Sequence, residues 1–104
     1  VKAVHALVGG RVQMVGYRRT CRSVARGLRL VGWVRNLPDG RVEMLAQGEA
    51  EGVDRLIEWA WAGPSGAQVS GVESESVPVD ATLSDFLIQP SLISGDPVKR
   101  RRAR

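Results

Sequence analysis

The stretch GGRVQMVGYR at residues 9–18 constrains this chain more than any other. It lies between an apolar, β-branched run at residues 1–8 and a run with helical spacing at 17–28. A glycine-rich loop joining a strand to a helix delivers the chain to a helix N-terminus. There the first backbone N–H groups have no intrahelical partner. Those donors, and the positive end of the helix dipole, favour an anion. Glycines let the backbone curl around such a group without side-chain clashes. Arg18, on the first turn, adds a planar fork of donors suited to phosphate oxygens. The loop therefore reads as the holder of a phosphoryl group.

The rest of the chain supplies a frame for that loop. Residues 1–8 read as a central strand that stops at Gly9-Gly10, because few of them are polar. His5, within it, reads as a partly buried strand histidine with a local hydrogen bond. Tyr17, Cys21, Val24, Ala25 and Leu28 form one helical stripe, with Arg19, Arg22, Arg26 and Arg29 on the solvated side. Residues 30–36 and 41–47 read as strands joined by the turn Leu37-Pro38-Asp39-Gly40. Val53, Leu56, Ile57 and Ala60 mark a second amphipathic helix, whose Trp59 and Trp61 are expected to cover the core edge. Residues 68–79 mix Val with Ser and Glu, as an edge or bulged strand does. A short last strand follows at 85–89. The order βαββαβ, plus this extra edge piece, predicts an α+β split βαβ sandwich, ferredoxin-like, with two helices on one face of an antiparallel sheet.

Length predicts one domain, placed at residues 1–90. Residues 91–104 carry five Lys/Arg against one Asp and are expected to form a disordered basic tail. Residues 1–90 carry ten basic and ten acidic side chains, so the net charge of +4 belongs to the tail. Nucleic-acid binding is therefore not expected except through that tail. One cysteine and one histidine leave no disulfide, no Cys/His metal set and no Ser-His-Asp arrangement. Cys21 sits on the apolar stripe and reads as a small core residue. No apolar run has membrane-spanning length and no secretory pattern opens the chain, so a cytoplasmic protein without membrane contact is expected.

Gly10, Arg11, Val12, Gln13, Val15, Gly16, Tyr17 and Arg18 are followed by Gly32-Trp33-Val34-Arg35-Asn36 and by Asp39, Gly40, Val42 and Glu43. This set closely resembles the acylphosphatases, and the resemblance extends over residues 2–89. Gly63-Pro64, Ala67, Val69, Val72 and Phe86-Leu87-Ile88 resemble that family's later segments. The resemblance implies a ferredoxin-like fold and metal-free, cofactor-free hydrolysis of a small-molecule acyl phosphate to carboxylate and phosphate. It implies that Arg18 binds the phosphate and that Asn36 positions the attacking water. It also implies that the backbone of Gln13, Met14, Val15, Gly16 and Tyr17 cradles the phosphate. A monomer is expected. One position departs from the pattern: Met14 stands where the family commonly has Gly. If that position needs a positive φ, Met carries a strain of roughly 1–3 kcal/mol there, and its side chain either narrows the mouth of the cradle or turns outward and is tolerated by the loop.

The chemistry fits these residue types. Phosphoryl transfer depends on positioning and charge stabilisation. Asn36 has both an acceptor and a donor with which to orient a water in line, but it is no base. An acyl phosphate expels a weakly basic carboxylate and does not clearly need one. The competing reading is a non-catalytic phosphate- or RNA-binding module on the same fold. Trp33 alone stands on a strand suited to base stacking, which is too little for an RNA-reading sheet.

Overall fold

The computed structural model of the chain describes residues 1–92. Its elements are β1 (Lys2–Arg11), α1 (Tyr17–Gly27), β2 (Val31–Asn36), β3 (Val42–Gly48), α2 (Ala50–Ala62), β4 (Gln68–Val77) and β5 (Phe86–Ile88). The sheet order is β4-β1-β3-β2-β5. The expected ferredoxin-like sandwich is therefore present, with β1 central and β4 at an edge.

Two expectations need correction. The sheet is mixed: β1–β3, β1–β4 and β2–β3 are antiparallel, but β5 runs parallel to β2. The chain leaves β4 at one edge and crosses the end of the sheet to reach the other edge. Gln47 pins that crossing, since its carboxamide accepts from the Asp80 amide at 2.8 Å and donates to the Asp80 carbonyl at 3.0 Å. The second correction is to β1, which does not stop at Gly9-Gly10 but pairs with β4 as far as Arg11, with a register shift between the two glycines. Gly10 has φ 112°, and a Cβ there would lie 2.3 Å from the Gln68 carbonyl oxygen. The glycines bend the strand towards the site without ending it.

Alternation sorts the sheet. Val4, Ala6 and Val8 of β1, Met44 and Ala46 of β3, Val34 of β2 and Phe86 of β5 are buried in one core with Tyr17, Cys21 and Ala25 of α1 and Val53, Leu56 and Ala60 of α2. Tyr17 ties the helices together: its hydroxyl donates to the Ala60 carbonyl at 2.8 Å, and its ring lies 5.0 Å from that of Trp59. Trp59 thus covers the core edge as expected, but Trp61 is 54% exposed and does not. The arginine side of α1 is solvated, with Arg19, Arg26 and Arg29 exposed and Arg26 paired to Asp85 at 3.2 Å.

Cys21 is fully buried, and burial pushes its thiol up to about 12. It is therefore a packing residue. A thiol reagent at pH 8 is expected to label the native protein only as fast as the protein unfolds, and the denatured protein at once. Rapid labelling under native conditions would contradict this placement.

Candidate active site

The directions of the strands bring one end of the sheet together. β1, β2 and β5 all finish at the end where β3 begins, and the loop at residues 12–16 leads from β1 into α1. Gly16 enters the helix in the left-handed region, at φ 79° and ψ 17°. No described side chain caps α1, and its first turn carries no acidic residue. The first amides of the helix are left to whatever occupies the loop.

A cavity of about 400 Å³ opens at this end, lined by Val12, Met14, Gly16, Tyr17, Arg18, Arg19, Asn36 and Ile88. Arg18 and Asn36, the two residues singled out by the sequence, share it. Asn36 ends β2, and its Oδ1 is buried without a hydrogen-bond partner among the described residues. A buried amide oxygen without a partner costs roughly 1–3 kcal/mol, which an occupant with a hydrogen to donate would recover. Among the described residues lining the cavity none is Asp, Glu, His, Cys or Lys. Its phenol, Tyr17, is engaged with Ala60, and burial holds it well above the usual tyrosine range. The cavity thus presents donors, positive charge and one amide acceptor. It can hold an oxyanion and orient a water.

Of the five residues expected to form the cradle, Met14, Gly16 and Tyr17 line the cavity. The side chains of Gln13 and Val15 turn elsewhere. Gln13 Nε2 donates to the carbonyls of Leu37 at 2.9 Å and Arg41 at 3.0 Å, fastening the loop to the turn that follows Asn36. Val15 packs against the core. Their side chains hold the two halves of the site in register.

Sequence reasoning missed four contributors. Val12 and Ile88 form apolar wall. Ser91 and Leu92, assigned to the tail, lie against the site: Arg18 Nη1 donates to Ser91 Oγ at 3.3 Å, and the Leu92 amide donates to the Asn36 carbonyl at 3.0 Å. The parallel pairing of β5 with β2 carries the chain there, and no local pattern signals it. Residues 93–104, which hold all five basic residues of the tail, lie outside the described residues.

Residues 4–88 match the family model Acylphosphatase. Over 88 residues the chain is 48% identical to an acylphosphatase of Methylococcus capsulatus, spanning 85% of this chain and 96% of that one. It is 59% identical over 81 residues to one from Acaryochloris marina, spanning 78% and 83%. Among solved structures, an acylphosphatase from Coxiella burnetii superposes with a TM-score of 0.81 at 42% identity, covering 85% of this chain and 92% of that chain.

Proposed function

This chain belongs to the acylphosphatase family, an enzyme that hydrolyses acyl phosphates, and from that premise we propose how its residues do so. Arg18 and the first amides of α1 hold the phosphoryl oxygens. Asn36 Oδ1 accepts a hydrogen bond from a water and sets its oxygen in line with phosphorus and the leaving oxygen. The water oxygen bonds to phosphorus as the phosphorus–oxygen bond to the acyl group breaks. The carboxylate leaves with that electron pair, and the water proton passes to a phosphate oxygen. No general base is needed, in keeping with a described cavity lining that carries no carboxylate, imidazole, thiol or amine and whose one phenol is engaged with Ala60. The observation that carries this reading is the unpaired, buried Asn36 Oδ1 in the same cavity as Arg18.

A cavity of this size suits a small molecule. No described helix is long and apolar enough to cross a membrane. Hydrolysis of benzoyl phosphate in ¹⁸O-labelled water, with chelator present, tests the mechanism. Turnover is expected to survive the chelator and to place the label in inorganic phosphate. Label in the benzoate would mean attack at carbon and would overturn the role given to Asn36.

A further inference from the structure

Two non-glycine residues of the described chain have positive φ, Arg29 at 61° and Met14 at 63°. The fold explains Arg29. It follows the last residues of α1, and the bonds Arg29 N–H to Arg26 O at 3.0 Å and Leu30 N–H to Ala25 O at 2.9 Å close the helix in the usual left-handed cap. Nothing of the kind explains Met14. It is held in a left-handed conformation that crowds its Cβ, and its side chain is 100% exposed. It also lines the cavity that holds Arg18 and Asn36. An exposed residue on a cavity lining stands at the mouth. Val12 and Ile88 extend an apolar surface along the same cavity.

A strained, fully solvated apolar side chain at the mouth of a binding cavity points to something it meets there. The phosphoryl end of the substrate belongs with Arg18 and the amides of α1. The acyl group then extends toward the mouth. We propose that Met14 sets the acyl preference of this enzyme. Its side chain packs on the apolar part of the acyl group and favours acyl phosphates with aromatic or branched apolar chains over acetyl phosphate. The inference rests on the reading of this cavity as the acyl-phosphate site.

The test compares kcat/KM for benzoyl phosphate and acetyl phosphate in the unmodified protein and in Met14→Leu, Met14→Ala, Met14→Gln and Met14→Gly. Inhibition by inorganic phosphate is measured alongside. Each buried methylene is worth about fourfold in affinity. The benzoyl-to-acetyl ratio is therefore expected to fall on the order of tenfold in the Ala, Gln and Gly variants, chiefly through KM for benzoyl phosphate, and to stay within about threefold in the Leu variant. Ala keeps the strain and loses the reach; Gln keeps the length and loses the apolar surface; Gly loses both. An unchanged ratio in Ala or Gln, or a change confined to Gly, overturns the inference and traces the effect to the backbone. Arg18→Ala serves as the control on the site. If it kills turnover while the Met14 variants leave the ratio unmoved, the site stands and this inference falls. If it leaves turnover intact, the site reading falls and takes this inference with it.

Discussion

Arg18→Ala is expected to lower kcat by about 10²–10⁴ without unfolding the protein. In the proposed mechanism the guanidinium supplies two of the hydrogen bonds to the transferring phosphoryl group, each roughly 1.5–3 kcal/mol because the acceptor is charged. Losing both raises the barrier by roughly 3–6 kcal/mol, at about tenfold per 1.4 kcal/mol. Stability should hardly move. Among the described residues, the one group bonded to the Arg18 side chain is the Ser91 hydroxyl, at a long 3.3 Å and exposed to water. Substitutions of that kind shift stability by about 0.5 kcal/mol or less. Arg18→Lys keeps the charge and loses the paired donors, so it should recover only part of the rate. Asn36→Ala separates the two roles. It removes the oxygen proposed to orient the water and should lower kcat about 100-fold or more, while inorganic phosphate still inhibits within a few-fold of the unmodified protein. In Arg18→Ala that inhibition should weaken along with kcat. Steady-state kinetics with benzoyl phosphate, paired with thermal melts, reads all of this. A kcat for Arg18→Ala within tenfold of the unmodified protein would remove Arg18 from the reaction.

The part of this site written in the sequence is the part built by local rules. The loop between β1 and α1 is legible because glycine, a helix start and an arginine on the first turn follow one another along the chain. Asn36 is legible only through the family motif, since an asparagine two residues before Pro38 otherwise reads as turn chemistry. What could not be read depends on register. His5 shows no partner along the chain, yet its Nε2 lies 2.7 Å from Glu43 on the neighbouring strand. The two stand diagonally across the β1–β3 ladder, where Leu7 is opposite Glu43 and His5 opposite Leu45. Ile88 and Ser91 reach the cavity because β5 pairs parallel to β2, a long-range choice made by a three-residue strand. The β1 extension was missed for a simpler reason. Gly9-Gly10 carries the sequence signature of a strand end, and only the approach of β4 reveals it as a bulge.

Replacing Glu43 with Ala is expected to cost about 3–5 kcal/mol, the largest stability loss among the changes considered. Glu43 sits on β3, on the sheet face away from the helices, with a fully buried side chain. Its Oε1 accepts from Arg35 Nε at 2.6 Å and its Oε2 from His5 Nε2 at 2.7 Å, so one carboxylate clamps β1, β3 and β2. Arg35 also lies 4.8 Å from the Trp33 ring centroid, and its Nη2 is already buried without a partner among the described residues. Removing the carboxylate would leave the guanidinium charged, buried and unpaired. Domains of this size are stable by only about 5–15 kcal/mol, so the loss should be plain in urea unfolding at pH 7. Glu43→Gln keeps the shape and should lose less.

Acid should reproduce the loss in the unmodified protein. Burial alone would raise the Glu43 carboxyl, but the hydrogen bonds from His5 and Arg35 and the guanidinium charge outweigh it and hold the group below the usual glutamate range. A carboxyl that titrates lower in the folded than in the unfolded chain contributes fully above the unfolded value. That contribution fades as pH falls through the folded value. Asp39, held low by the Arg41 amide, and Asp80, held low by the Thr82 hydroxyl, add to the same slope. The difference between the unmodified protein and Glu43→Gln isolates Glu43, and that difference should shrink below about pH 4. Arg35 and Glu43 face each other one step along β2 from Asn36, which is opposite Val42. Loosening the clamp should therefore also lower kcat in any Glu43→Ala that remains folded, with KM for acyl phosphate little changed. A Glu43→Ala protein within 1 kcal/mol of the original would show that the pair's attraction does no more than offset the cost of burying it.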